Sequence, residues 1–171
     1  FIWFSKAVNS ASNSIFNNRG LLGKLDTPQS LFPMAVVQES LYKQGAVFVL
    51  LFIILLLNGY PLSPAWFWLL PIIVANYMMI VGCSFVGACL VCFVRDFSML
   101  ISLAMVFLLF TSGIFWDVRD LGDPAKTELV LAVNPLAFIL DAYRQVLMYQ
   151  SAPDLVHLAL IFFGFGLLTL I

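Results

Sequence analysis

Residues 65–116 read AWFWLLPIIVANYMMIVGCSFVGACLVCFV, then the pair Arg95-Asp96, then FSMLISLAMVFLLFTSGIFW. Neither apolar run holds a charged residue, so Arg95-Asp96 is the only charge between Ala65 and Trp116. A membrane-crossing helix needs about 20 apolar residues to cover about 30 Å of hydrocarbon. Two antiparallel spans joined by a tight polar hinge follow from that pattern.

The rest of the 171-residue chain agrees. It is 63% hydrophobic and 10% charged, with a mean hydropathy of +1.04. Soluble domains run at about 45–50% apolar and about 25% charged, so a soluble globular domain is excluded. The net charge of −1 gives no basic excess for a nucleic-acid partner. The chain starts at Phe1 without a methionine and stops at Ile171 inside an apolar run, which predicts a piece of a larger membrane protein. No signal peptide is visible.

Two further spans follow. Gly45–Leu57 is short alone but long enough if its helix starts near Pro33, a favoured first-turn residue. Its first turns, with Gln38, Glu39, Lys43 and Gln44, would then lie near an interface. Asn58-Gly59 and Pro61 end it. His157–Ile171 reads as a truncated span, opened by a capping box at Ser151–Asp154. Phe1–Asn18 differs from these. Ser5, Asn9, Asn13 and Asn17 recur every four residues beside Ser10 and Ser14, and Ile2, Ala7, Ala11 and Ile15 form the other face. On a helix this is one polar stripe, which in lipid must face protein or water. It either bonds to other helices or lines a polar conduit.

Asp123-Pro124 and Asn134-Pro135 are two helix starts of the N-cap-plus-proline kind. The second opens an amphipathic helix of about four turns, with Leu136, Ile139, Leu140, Tyr143, Val146 and Leu147 on one side and Asp141, Arg144 and Gln145 opposite. Such a helix between spans lies on the bilayer surface or dips into it. Arg19, Lys24, Lys43 and Arg95 fall on one side of the membrane, and Arg119, Lys126 and Arg144 on the other. Four basic residues against three favour the first side as cytoplasmic.

Several chemistries lack their residues. Gly20-Leu-Leu-Gly23-Lys24 has neither the spacing nor the Ser/Thr of a phosphate loop. Cys89-Leu-Val-Cys92 sits in an apolar run, and the sole histidine is far away, so packing is the expected role and no metal is assigned. Gly82, Ser84, Gly87 and Ala88 in the same run permit close helix contact. ATP chemistry, if the protein uses any, belongs to another chain.

Taken in order, these motifs resemble those of the ABC-2-type permeases of bacterial polysaccharide export, which move O-antigen, teichoic acid or capsule. The matching positions are Asn13-Ser14, Asn18, Leu21-Leu22, Lys24, Pro28 and Pro33, then Val94-Arg95-Asp96, then Asn134-Pro135-Leu136 with Asp141-Ala142-Tyr143-Arg144. Thr27, Gln29 and Val94 depart from the family pattern, which has an aromatic, a basic and an aromatic residue there. The resemblance implies an all-α polytopic transmembrane bundle. Residues 1–171 would supply about five of its six spans plus short re-entrant or interfacial helices, with the N-terminal interfacial helix and first span missing and the last span truncated. It implies a homodimer in the bacterial cytoplasmic membrane, paired with an ATP-binding subunit that carries ATP and Mg. Arg19, Lys24, Asp26, Pro28 and Gln29 would contact that subunit, and Arg95-Asp96 would be the cytoplasmic hinge. Asn134, Pro135, Asp141 and Arg144 would belong to a helix at the exit. The cargo would be a lipid-linked polysaccharide.

The chain is 15% aromatic, and aromatic faces stack on sugar rings. Phe1, Trp3, Phe4, Ser5, Asn9, Asn13, Trp116 and Tyr143 are the candidate path residues. Trp66, Phe67 and Trp68 read more simply as an interfacial belt. Asp141 and Arg144 are spaced to pair on one helix face. Export of a small drug or lipid, and a non-transporting membrane scaffold, remain open as other readings.

Overall fold

The computed structural model describes residues 1–22, 28–58, 64–115 and 124–169. Every regular element among them is helical: α1 (Ile2–Ser12), α2 (Ser14–Asn17), α3 (Arg19–Leu22), α4 (Leu31–Leu57), a 3₁₀ turn (Pro64–Trp68), α5 (Leu69–Phe93), α6 (Phe97–Thr111), α7 (Pro124–Val133), α8 (Pro135–Leu147) and α9 (Leu155–Leu168). The architecture is that of an all-helical membrane bundle.

α5 is the central post, packed against α1, α4, α6, α8 and α9. Its small residues allow this. A Cβ on Gly82 would come within 2.9 Å of the Phe165 carbonyl oxygen, so α9 lies directly on the backbone there. A Cβ on Gly87 would run into the Ser12 hydroxyl and meet Ile101 Cδ1 at 3.3 Å, so α1 and α6 close on the same point. Ser84 and Ala88 are buried in the same seam. The core joins Ala7 and Val8 of α1, Ile72, Met79 and Ile80 of α5, and Ile139 and Val146 of α8.

Leu31–Leu57 and Trp66–Phe93 are long and apolar enough to cross a membrane. Past its first turns α4 shows bare apolar surface at Val47, Leu50, Ile53 and Ile54, and α6 does so at Leu103, Phe107 and Phe110. Such faces suit lipid or another membrane helix. Phe67 is exposed, while Trp66 and Trp68 are half-buried, and the Trp66 ring lies 5.2 Å from Phe52.

The boundaries differ from the sequence expectation at four places. The helix expected over Phe1–Asn18 is interrupted at Asn13. α4 starts at Leu31, with Pro33 in its first turn, where a missing N–H costs no helical bond. α6 ends at Thr111, short of Trp116, because Gly113 takes φ 74, a left-handed conformation that stops a helix. α9 is capped by Asp154 itself, whose carboxylate accepts from the Val156 N–H at 3.0 Å, so Ser151 is not its cap. At the hinge, Asp96 makes no side-chain cap bond. The turn is closed by backbone bonds, Phe97 N–H to Val94 and Ser98 N–H to Arg95.

Candidate functional site

The polar residues gather in three places. The first is a cleft between α1 and α4, about 340 Å³, lined by Lys6, Ser10, Val36, Glu39, Ser40 and Lys43. Lys43 and Glu39 form an ion pair one turn apart at 2.6 Å, with both side chains mostly exposed. The indole N–H of Trp3 donates to Ser40 Oγ at 3.2 Å, which fixes α1 beside α4 at this height. Lys6 is exposed on the same wall. The sequence pattern places Gln38, Glu39, Lys43 and Gln44 near an interface. The structure brings Lys6 level with Glu39 and Lys43, in the first half of α4. Within a bilayer such charges need water or protein beside them. The signal was present in the sequence as the only charges inside these two spans.

The polar stripe of α1 is spent mainly on its own helices. Asn9 and Asn13 donate to the carbonyls of Ser5 and Asn9, and Asn9 Oδ1 accepts from Ser102 Oγ of α6 at 3.0 Å. Ser5, Asn9 and Asn13 are half-buried. Of the apolar face, Ala7, Ala11 and Ile15 are buried and Ile2 is exposed, in line with Lys6 and Ser10. Trp3 and Phe4 lie in the core, so the expectation that they face a conduit is corrected: packing claims their rings. Phe1 is half-buried against that core. Tyr143 keeps one face in a small pocket with Ile114 and Leu147, while its hydroxyl is buried beside α5. Trp116 lies outside the described residues.

The second place is the junction of α6 and α8. Asn134 is the N-cap expected of it: Oδ1 accepts from the Leu136 and Ala137 N–H groups, and its amide donates to the Thr111 carbonyl at 3.4 Å. Pro135 follows at the first helical position. Arg144 Nη2 donates to the Gly113 carbonyl at 2.7 Å. Asp141 was expected opposite the apolar stripe, but it is only 2% exposed and accepts from Gln145 Nε2 at 2.7 Å. Its neighbours Ala137, Phe138 and Ala142 are buried too, because α8 is covered by α5, α7 and the 3₁₀ turn. α8 is therefore inserted among other helices rather than laid on a surface.

The third place is the far end of α5. Arg19 and Arg95, distant in sequence, both stack on Phe16, with guanidinium carbons 4.3 and 4.9 Å from the ring centroid. Arg19 also donates to the Cys92 carbonyl at 3.1 Å. Pro28 and Gln29 are exposed at the same end. Lys24 and Asp26 lie outside the described residues. No group of three His, Cys, Asp or Glu residues suited to a metal occurs among the described residues.

Residues 2–148 match the family described as ABC-2 type transporter. The chain belongs to that family. It is a membrane component of a transporter. It is also 25% identical over 158 residues to an O-antigen export system permease protein, RfbA, of Myxococcus xanthus. The match takes in 90% of this chain and 59% of that relative, so the chain spans well under two thirds of the relative's length. No solved structure matches.

Proposed function

We propose that this chain is the membrane-spanning part of an ABC exporter that moves a lipid-linked polysaccharide across the bacterial cytoplasmic membrane. It works as a homodimer, and a separate ATP-binding subunit with Mg supplies the energy. The observation that carries this reading is the charged cleft of Lys6, Glu39 and Lys43 between α1 and α4 of a mainly apolar helical bundle. A hydrophilic polymer needs such a wall, and a hydrocarbon-facing helix would not tolerate one. The similarity to an O-antigen export permease supports the cargo class. In this reading Phe1, Ser5, Asn9, Asn13, Tyr143 and Trp116 contact the cargo, Asn134, Pro135, Asp141 and Arg144 belong to the exit helix, and Arg19, Lys24, Asp26, Pro28 and Gln29 contact the ATP-binding subunit, with Arg95-Asp96 as the hinge.

A second reading is export of a lipid or small apolar molecule. An apolar groove of about 380 Å³ between α5 and α9, lined by Leu70, Val74, Leu158 and Phe162, favours it. One experiment separates the two. The full-length protein carrying Lys6→Leu and Lys43→Leu is assayed for surface polysaccharide and for recovery with its ATP-binding partner from native membranes. Export should fall at least about tenfold with assembly intact. Unchanged export removes the cleft from the path, and absence of any ATP-binding partner in the wild type removes the transporter mechanism.

A further inference from the structure

At the end of α5 two guanidinium groups share one aromatic ring, within the sum of 4.3 and 4.9 Å of each other. Two exposed cations gathered on one ring make a local positive patch that favours an anion. Among the described residues no carboxylate forms an ion pair with either arginine, Asp96 included. Arg19 spends one donor on the Cys92 carbonyl, and the rest of its planar fork remains. A guanidinium held flat on a ring is already ordered and weakly hydrated, which suits it to phosphate.

Beside this pair runs an apolar groove of about 510 Å³ between α5, α2 and the end of α9. Ile15, next to Phe16 and one turn before Arg19, lines it, and so do Phe85, Cys89, Phe93 and Leu168. Phe93 stands two residues before Arg95, and Cys89 one turn before Cys92, the residue that Arg19 bonds, so the groove and the cation pair share this end of α5. Gln29 and Ser30 edge the groove at the same end.

We infer that Arg19 and Arg95, stacked on Phe16, bind the phosphate of an anionic phospholipid whose acyl chain lies in this groove. The site holds a membrane lipid whatever the cargo is, so it does not depend on the polysaccharide reading. A basic pocket between membrane helices is the recurrent form of such sites. A free phosphate would leave the groove unused. Arg19 is exposed but tied to the α5 backbone at the Cys92 carbonyl, one turn from Cys89 in the groove wall.

The test is native mass spectrometry of the full-length protein, extracted from nanodiscs of phosphatidylglycerol and phosphatidylcholine in equal amounts. The wild type should retain phosphatidylglycerol about tenfold over phosphatidylcholine, and Arg19→Gln with Arg95→Gln should bring the ratio toward one. Lys43→Gln, away from the site, should leave it unchanged. Equal retention of both lipids by the wild type overturns the proposal without reference to any variant. Two further results also overturn it: undiminished preference in a monodisperse double variant, or loss of the ATP-binding partner from that variant with lipid preference intact. The last outcome would assign the pair to subunit docking.

Discussion

The Arg144 side chain reaches the Gly113 carbonyl at 2.7 Å, and that contact joins α8 to the turn that ends α6. The carbonyls that end a helix have no partner within it and carry partial negative charge. Gly113 is buried, so water is a poor substitute. Arg144→Gln should therefore destabilise the protein by about 1–3 kcal/mol. Thermal unfolding of the purified full-length protein in nanodiscs reads this directly. Arg144→Lys should fall between, since an ammonium donates but lacks the planar fork.

Asn134 does two jobs with one side chain, and they can be separated. Asn134→Asp keeps the acceptor for the Leu136 and Ala137 N–H groups and loses the donor to Thr111. Asn134→Ala loses both, at about 1 kcal/mol for the cap alone. The expected order of stability is wild type, Asp, Ala. Equal values for Asp and wild type would mean that the Thr111 contact contributes nothing.

Two glycines make a contrasting pair. Gly87→Ala places a Cβ against Ser12 and Ile101 in a full seam and should cost about 1–3 kcal/mol by overpacking. Gly45→Ala meets nothing within 4 Å and lies inside α4, so it should be neutral or stabilise by up to about 1 kcal/mol. The same unfolding measurement ranks them.

Trp3 tests the burial of the α1 aromatics. Trp3→Phe removes the bond to Ser40 while keeping most of the ring, and should cost about 1 kcal/mol. Export per assembled molecule should stay at the wild-type level. A selective loss of export at normal stability would return Trp3 to the cargo path.

The long apolar helices α4 and α5, the turn at Arg95-Asp96 and the N-cap at Asn134 were legible because each rests on local signals: an uncharged run, a charge pair, an Asn-Pro start. The small-residue seam of α5 was legible for the same reason. What sequence could not supply was which element covers which face. The stripe of Ser5, Asn9 and Asn13 was visible, but not that Ser102 of α6 would meet it. Asp141 read as solvated because its helix period says nothing of the helices packed around it. The early end of α6 depends on a backbone angle at Gly113 that no periodicity encodes. Arg19, Phe16 and Arg95 meet only through tertiary contact, and their separation in the chain hides it.

At 15 residues, α6 reaches about 22 Å, against about 30 Å of hydrocarbon. Its Thr111 end, with α8 fastened just beyond it at Gly113, falls short of a full crossing. Hydrophobic mismatch of this kind is relieved by a thinner annulus of lipid. Acyl-chain length then becomes a control on this fold in its own right.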